Sequence, residues 1–294
     1  RRQRQMCIRD SGMRDGNVLG FDSVPQPTYK DKDLRKAVAL EKAKAQDETE
    51  VFANDSKKKI YMHWMYDVPM GEQLDDDGDS LESIEGCLTD AQYNRDEHRK
   101  AVIDDILDNW VSQSHNGKFH AILATSSIPE AIKYYKLFAQ RDCGLKTTAV
   151  FDPSDGNNES SIEKIDGIAQ MLEDYNSLFG TCFNISGYAS FKRDVCARLA
   201  HKTPYTAVEN EPSKCLDILI VVDQMLTGYD SKWLNTLYMD KFYKWSNIEM
   251  IIQAFSRTNR VFNDDKPHGI IRYYRRPYTC LLYTSPSPRD GATS

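Results

Sequence analysis

The chain has 294 residues, of which 40% are hydrophobic and 28% are charged, and its formal net charge is −6. This composition fits an ordinary soluble globular protein, and no apolar run approaches the length that spans a bilayer, so we expect no membrane segment. The acidity argues against a protein that coats nucleic acid with positive charge, although it is compatible with one that touches a narrow line of phosphates.

The two ends of the chain differ in character from the rest. Residues 1–11 read RRQRQMCIRDS and residues 280–290 read CLLYTSPSPRD, and both look like translations of one sequencing-library adapter in opposite orientations. We therefore predict that residues 1–11 and 280–294 are adapter-derived tails without a part in the fold, and that the natural protein continues beyond both. The alternative is a pair of genuine polar tails, since chain ends are often poorly ordered.

Residues 12–115 are predicted to form an irregular or helical connecting segment. A helix-compatible run covers residues 31–47, and the aspartates between positions 75 and 79 indicate a solvated loop. A calcium loop is the weaker interpretation of these aspartates, because they lack the EF-hand alternation and its terminal glutamate. From residue 96 up to Trp110, apolar residues recur at helical spacing and predict an amphipathic helix.

Residues 116–279 alternate short apolar runs with helix-like stretches. Strands are predicted at residues 119–124, 145–151, 216–222, 234–239 and 269–274. Helices are predicted after an N-cap at Ser127 and at residues 162–178, 189–199 and 248–258, with a polar insertion at 152–161. This alternation predicts an α/β fold, a doubly wound parallel sheet with helices on both faces. The run at 218–222 is apolar at successive positions, which is typical of a strand buried on both faces.

The cysteines and histidines give no sign of a metal site. The five cysteines outside the tails are scattered, form no CxxC pair and have no histidine at metal spacing, so we expect reduced thiols. The isolated histidines His115, His120 and His268 are expected to be surface or strand residues rather than catalytic bases.

The strongest chemical signal is the run QAFSRTNR at residues 253–260. Arg257 and Arg260 are three residues apart, so on a helix they would share one face. Two guanidiniums held together can neutralise the charge that develops on a transferring phosphoryl group. The alternative is an exposed basic helix end favoured by the helix dipole, and for an isolated RxxR that alternative is preferable because the spacing is common.

A second signal, LTGYD, follows the most apolar predicted strand. Ligands of parallel α/β sheets sit beyond the carboxyl ends of the strands. Gly228 would allow close backbone approach to a phosphate or ribose, and Thr227 could hydrogen-bond a DNA phosphate. Asp230 could accept from a ribose hydroxyl or order the arginines. The alternative is a turn without further consequence.

A third signal is the hydroxyl cluster Thr125, Ser126 and Ser127 at the end of the first strand of the predicted sheet. Hydroxyls and the amides of a helix N-terminus make a ready phosphate-binding position. Simple capping of the following helix explains the same residues equally well.

Together these segments resemble a known family. The runs ILIVVDQMLTGYDSKWLNTLYMDK and IIQAFSRTNRVFNDDKPHGIIRYYRRP resemble motifs V and VI of the motor (restriction) subunits of type I restriction enzymes. The run FHAILATSSIPEAIKYYKLF resembles the start of their second RecA-like domain, and RDGNVLGF resembles the segment that joins the first motor domain to the second. The resemblance covers roughly residues 13–278, so residues 116–279 are predicted to be the second RecA-like domain.

The resemblance implies a cytoplasmic subunit that uses ATP and Mg²⁺ to pull duplex DNA past a fixed complex and then cuts the DNA. It implies that Gln253, Arg257 and Arg260 face a nucleotide held mainly by the first motor domain, with the two arginines as arginine fingers. Gly228 and Asp230 match the segment that links the state of the nucleotide to DNA contact.

The same resemblance implies contacts with DNA and with other subunits. Thr227 matches a position that contacts DNA, and Thr125, Ser126 and Ser127 match positions near the DNA backbone. The implied partners are duplex DNA and the modification and specificity subunits of the restriction complex. No metal ligands are expected in this chain.

Several parts of the family's machinery have no match in the sequence. We recognise no phosphate loop GxxxxGK(S/T), no DExx box of a first motor domain and no PD…ExK nuclease residues. We therefore predict that this chain alone neither hydrolyses ATP nor cuts DNA. The alternatives are another superfamily-2 translocase, such as a type III restriction subunit or a stand-alone helicase, and a RecA-like module that binds nucleic acid or protein without ATPase activity.

Overall fold

A computed structural model describes residues 19–73, 81–141, 143–151, 161–222, 229–242, 253–263 and 265–280. The chain divides into two compact units. Among the described residues, the first unit comprises 19–24 and 103–272, and the second comprises 25–102 and 273–280. The predicted adapter tails, apart from Cys280, and the aspartate loop at 75–79 lie outside the described residues.

The first unit is built on a parallel sheet, which in the described part of the chain has six strands in the order β1-β6-β5-β2-β4-β3. The strands are β1 (Phe21–Pro25), β2 (His120–Thr125), β3 (Thr147–Val150), β4 (Ile218–Val221), β5 (Leu234–Asp240) and β6 (Gly269–Tyr273). β2 pairs in parallel with both β4 and β5, and β3 pairs in parallel with β4. Every residue of β2, β4 and β5 is buried, and β4 is apolar at every position, as is typical of a strand buried on both faces.

Helices cover the connections between these strands. In chain order the helices are α1 (Asp31–Lys42), α2 (Glu48–Phe52), α3 (Asp55–Tyr66), α4 (Ile84–Cys87), α5 (Asp90–Tyr93), α6 (Asp96–Gln113), α7 (Ile128–Arg141), α8 (Ser161–Phe179), α9 (Tyr188–Leu199) and α10 (Pro277–Cys280). Helix α7 packs against β2, β3 and β4, and α8 packs against β3. The predicted α/β class with a parallel sheet is confirmed.

Local signals placed most of these elements correctly. Ser127 caps α7, because its Oγ accepts from the Glu130 amide at 3.4 Å. The turn before β2 uses the left-handed region at Asn116 and Gly117, with φ of 58° and 79°. The insertion predicted at 152–161 lies almost wholly outside the described residues, and of the helix predicted at 248–258 only residues 253–255 are described as helical.

The second unit is more regular than its sequence suggested. Helices α1 and α3 pack together around a hydrophobic core of their own. The side chains of that core include Val38, Val51, Tyr61, Trp64, Ile84 and Tyr93. Helix α3 escaped detection because its first turn is the charged run DSKKK, and its start is defined by Asn54, whose side chain accepts from the amides of Ser56 and Lys57.

A buried carboxylate closes the second unit around the end of the described chain. Glu85 is 1% exposed and accepts from the Thr279 amide and hydroxyl, both at 2.7 Å, and from the Tyr278 amide at 3.1 Å. Burial raises the pKa of Glu85, and the hydrogen bonds from Thr279 and Tyr278 oppose this effect. The unit is therefore assembled from two segments that are far apart in sequence.

In neither unit does a described helix have the length and hydropathy to cross a membrane.

Candidate functional site

An ion pair joins the segment that leads into β5 to the segment that leads into β6. Arg260 Nε lies 2.8 Å from Asp230 Oδ1, and both side chains are substantially exposed, at 44% and 59%. An exposed pair of this kind contributes only about 0–1 kcal/mol to stability. Its main consequence is to orient the Arg260 guanidinium. Of the two roles expected for Asp230, contact with the arginines is present in the structure.

Arg257 lies beside this pair. Its Nη1 donates to the backbone oxygen of Tyr229 at 3.2 Å, one residue before Asp230. Burial and the nearby charge of Arg260 lower the pKa of Arg257, and the carboxylate of Asp230 opposes them. Two guanidiniums thus share one carboxylate, which leaves a local excess of positive charge suited to a phosphate group.

The two arginines come together through a turn and not through a helical face. The described helical residues end at Phe255, and the amides of Arg257 and Thr258 donate to carbonyls three residues earlier, both at 3.1 Å. Thr258 is buried and close to Gly269, where a Cβ would lie 2.2 Å from the threonine Oγ1. The helix predicted to reach Thr258 therefore ends earlier, at Phe255, and Arg257 and Arg260 both follow it and do not share a helical face.

The other residues expected to contact nucleotide are only partly described. Gln253 is exposed on the last described helical turn, and its carbonyl accepts from Ser256 Oγ at 2.8 Å. Thr227 and Gly228 lie outside the described residues.

The hydroxyl cluster at the end of β2 is largely engaged in holding the fold. Thr125 is fully buried, and its Oγ1 donates to the Val221 carbonyl at 3.1 Å, which ties the end of β2 to the end of β4. Ser127 caps α7. The buried Ser126 Oγ has no hydrogen-bond partner within the described ranges. Of the three hydroxyls, Ser126 is thus the one whose hydrogen-bonding capacity the described fold does not use, although the atom itself is buried.

The hydroxyl cluster and the arginine pair lie at opposite ends of strand β2, the hydroxyls at its carboxyl end and the arginine pair near its amino end. Thr125 ends β2, whereas Tyr229, next to Asp230, is hydrogen-bonded through its hydroxyl to His120 at the start of β2. The six residues of β2 span roughly 17 Å at about 3.3 Å per residue. The expectation that LTGYD as a whole lies at the carboxyl edge is thus wrong for Asp230, because the chain returns to the amino-terminal edge before entering β5.

Two buried polar groups lie behind the arginines: His120, inside the strand predicted at residues 119–124, and Lys266, which sequence reasoning missed. His120 is 5% exposed, and burial holds its pKa well below the ordinary value. Lys266 is 1% exposed, and its Nζ donates to the carbonyls of Leu234 at 2.7 Å and Lys232 at 3.2 Å. Burial and the charge of Arg260 lower the pKa of Lys266 to about 7. No pattern in the run NDDKPHG marks a lysine whose partners are carbonyls more than 30 positions away.

Replacing Lys266 by methionine is expected to remove a pH dependence of stability. Between pH 7 and roughly 10 the unfolded chain keeps this lysine protonated, whereas the folded chain has lost the proton. The unfolded state then binds more protons, so the free energy of unfolding rises with pH, by roughly 2 kcal/mol from pH 7 to 9. Below pH 7 both states are protonated and this rise is absent. Urea unfolding of the wild-type and Lys266→Met chains across pH 6–9 measures the difference.

Lys146→Met is the matched control for that measurement, because the Lys146 Nζ also donates to a carbonyl, that of Pro212 at 2.8 Å, but outside the core. It should keep the wild-type pH profile. Equal pH profiles for wild type and Lys266→Met would contradict the prediction.

Metal binding finds no support in the described part of the chain, where no group of three or more His, Cys, Asp or Glu side chains could hold an ion. The cysteines described there are thiols and not members of disulfides: Cys87, Cys143, Cys182, Cys196 and Cys215.

Comparison with known proteins adds an independent line of evidence. A family model for domain 3 of type I restriction enzyme subunit R matches residues 117–276. The endonuclease subunit of a type I restriction enzyme from Staphylococcus saprophyticus is 32% identical over 213 residues, which are 69% of this chain and 22% of that protein. An endonuclease subunit of the same type from Staphylococcus aureus (strain MRSA252) is 29% identical over 276 residues, which are 91% of this chain and 24% of that protein.

The chain thus spans less than a quarter of the length of these relatives. Among solved structures, the C-terminal part of the Fun30 ATPase domain aligns with 94% of this chain and 71% of its own, at a TM-score of 0.35 and 14% identity.

Proposed function

The chain belongs to the family of type I restriction enzyme R subunits, and from that premise we propose that it contains the second RecA-like domain of an ATP-driven DNA translocase and endonuclease. In this proposal its first unit supplies the arginine half of an ATPase cleft and part of the DNA track. The observation that carries the proposal is the cluster of Arg257 and Arg260 around Asp230, within the stretch that the family model matches.

The arginine group has the charge and exposure that a triphosphate requires. Arg260 is exposed, and Asp230 orients it through a contact that costs little to exchange. Facing ATP and Mg²⁺ held mainly by a preceding motor domain, Arg257 and Arg260 would neutralise the charge that develops on the γ-phosphoryl group. Gln253, Gly228 and Asp230 would line the same side of the nucleotide, with Asp230 able to accept from a ribose hydroxyl.

DNA contacts are proposed at the opposite edge of the sheet. Thr125, Ser126 and Ser127 lie where β2 passes into α7, and the buried Ser126 hydroxyl has no hydrogen-bond partner among the described residues. Together with Thr227, this segment would contact the phosphate backbone of duplex DNA through hydroxyls and helix N-terminal amides. Such contacts need little net positive charge, which agrees with an acidic chain.

The proposal includes the partners and setting of the whole enzyme. The complete subunit would act in the cytoplasm with modification and specificity subunits. It would need nucleotide-binding and nuclease parts that have no match in this sequence. This chain by itself is therefore proposed to be inactive.

The test compares this chain with the complete reading frame recovered from the source DNA. We expect the complete subunit to contain a phosphate loop and a DExx box and to hydrolyse ATP when duplex DNA is added. The 294-residue chain should show no turnover above background. DNA-stimulated turnover by the chain alone, or a complete frame without a nucleotide-binding half, would contradict the proposal and favour a RecA-like binding module.

A further inference from the structure

A buried tyrosine–histidine contact lies directly behind the arginine pair. Tyr229 is 6% exposed, and its hydroxyl is hydrogen-bonded to His120 Nε2 at 3.0 Å. The two rings meet edge to face, with centroids 6.0 Å apart. His120 also holds the same segment through its backbone, because its amide donates to the Trp233 carbonyl at 3.1 Å. The first residue of β2 thus forms two hydrogen bonds with the segment 229–233, one through its side chain and one through its backbone.

The backbone of Tyr229 is where the two arginines meet. Its own carbonyl accepts from Arg257 Nη1, and the next residue, Asp230, pairs with Arg260. A displacement of Tyr229 would therefore move both acceptors together. The exposed ion pair is too weak to hold this arrangement by itself, whereas a buried side chain in contact with His120 moves little.

We propose that His120 and Tyr229 are positioning residues for the arginine pair. They fix the backbone at Tyr229, and this backbone carries the oxygen atoms with which Arg257 and Arg260 interact. The inference rests on the proposed function, because the arginines matter to catalysis only if they face a nucleotide. Neither His120 nor Tyr229 contacts substrate in this proposal. They act through the arginines.

The chemistry of the contact agrees with positioning and not with proton transfer. Burial holds the pKa of His120 well below the ordinary value and raises the pKa of Tyr229, so both rings are neutral at the pH where the protein works. A hydrogen bond between two neutral buried groups neither gains nor loses a charge across that range. Its contribution is geometric, because leaving one partner unsatisfied in the interior is costly.

Two variants remove the hydrogen bond with little change in volume. Tyr229→Phe deletes only the hydroxyl, and His120→Leu deletes the ring nitrogens, whereas His120→Gln keeps an amide group near the position of Nε2. In the complete subunit, we expect Tyr229→Phe and His120→Leu to lower the kcat of DNA-stimulated ATP hydrolysis by about 10-fold to 100-fold, since misplacement by about 1 Å can have such an effect. The KM for ATP should change by less than about twofold, and His120→Gln should recover most of the lost kcat.

The matched control is Tyr238→Phe. Tyr238 is another fully buried tyrosine of the first unit, and its hydroxyl donates to Gln113 Oε1 at 2.8 Å, in a contact that includes neither arginine. This variant should retain the wild-type kcat. Tyr229→Phe and Tyr238→Phe remove the same atom from similar surroundings, so a difference between them reports on position and not on the loss of a buried hydroxyl.

A second measurement on the 294-residue chain does not depend on ATPase activity. The Nε–H of Arg260 is followed by nitrogen-15 NMR, and its hydrogen exchange should become at least about threefold faster in Tyr229→Phe if the ion pair with Asp230 loosens. Tyr238→Phe should leave the exchange rate unchanged. Circular dichroism on each variant gives the folded fraction.

The outcomes separate the inference from the proposed function. Unchanged exchange of Arg260 in Tyr229→Phe and His120→Leu, with any loss of kcat matched by a lower folded fraction, would overturn the positioning role. Faster exchange together with a selective fall in kcat supports it. If exchange accelerates but the complete wild-type subunit shows no ATPase activity, the proposed function fails while the positional link between Tyr229 and Arg260 stands.

Discussion

Replacing Arg260 by alanine in the complete subunit is expected to lower the kcat of ATP hydrolysis by about 10³-fold. The physical reason is that a guanidinium at this position neutralises charge that develops only in the transition state of phosphoryl transfer, and an arginine finger is worth about 10³ to 10⁵ in kcat. Steady-state ATPase assays with saturating duplex DNA measure the change. The KM for ATP should move much less, because most of the nucleotide's contacts belong to the other motor domain.

DNA binding gives an independent readout of the same variant. Arg260 pairs with a carboxylate and lies at the end of the sheet opposite the proposed DNA contacts. Its removal should therefore not eliminate a contact with a DNA phosphate. The slope of log K against log salt for duplex DNA is therefore expected to stay at the wild-type value. A reduced slope would indicate that Arg260 contacts DNA and not the nucleotide.

Arg141→Ala is the matched control for Arg260→Ala. Arg141 also forms an exposed ion pair with an aspartate in the first unit, through Nη1 and Asp104, but on helices α7 and α6. Because the two pairs have similar exposure, both substitutions remove a surface arginine of comparable structural value. Equal ATPase activity in the two variants would contradict the assignment of Arg260 as an arginine finger.

Replacing Arg198 by methionine is expected to lower the free energy of unfolding of the first unit by about 3–5 kcal/mol, as does removal of one partner from a buried charge network. Arg198 is 3% exposed, and its guanidinium stacks 3.8 Å from the ring of Phe179. The guanidinium donates at 2.8–3.4 Å to the Lys214 carbonyl, the hydroxyls of Tyr175 and Tyr205, and the carboxylate of Asp194. Methionine can fill much of the volume but satisfies none of these acceptors.

The cost arises mainly from what the variant leaves behind. Asp194 is only 16% exposed and also accepts from the hydroxyls of Tyr175 and Tyr205, both at 2.6 Å. Without the guanidinium, this carboxylate would remain largely buried with no positive partner in the network, and the Lys214 carbonyl would lose its donor. Urea unfolding followed by fluorescence gives the free energy directly.

Arg193→Met is the control on the same helix. Arg193 is exposed, and its Nη2 donates to Ser190 Oγ at 3.0 Å one turn away. Its replacement should change the free energy of unfolding by less than about 0.5 kcal/mol, as is usual for surface substitutions. An equally small effect of Arg198→Met would show that the network contributes little to the stability of the unit.

The position of the two proposed contact regions suggests how they are linked. β2 begins at His120, beside the segment that holds the arginines, and ends at Thr125, beside the hydroxyls proposed to contact DNA. A fully buried strand between two paired neighbours is a stiff connection.

Much of the fold was determined by the sequence alone, because its signals are local. The continuous apolar run at 218–222 indicated a strand buried on both faces, a further strand was predicted at 234–239, and Ser127 indicated the start of α7. The same strands carry the motifs of the family, so the family was also evident from the sequence. Both secondary structure and family membership were recognised from short runs of consecutive residues, and such runs can be read directly from the sequence.

Only the tertiary structure decided how the candidate site is arranged. Arg257 and Arg260 meet at Asp230 through a turn, and not along a helix, because Thr258 packs against Gly269. The edge at which Asp230 lies depends on the path of the chain between β4 and β5, for which no periodic pattern exists.

The partner of His120 and the burial of Lys266 were equally hidden in the sequence. The partners of these side chains are a distant tyrosine hydroxyl and the carbonyls of another segment. A polar side chain becomes a core residue when remote backbone and side-chain groups satisfy it. Those groups are brought together only when the whole sheet has formed.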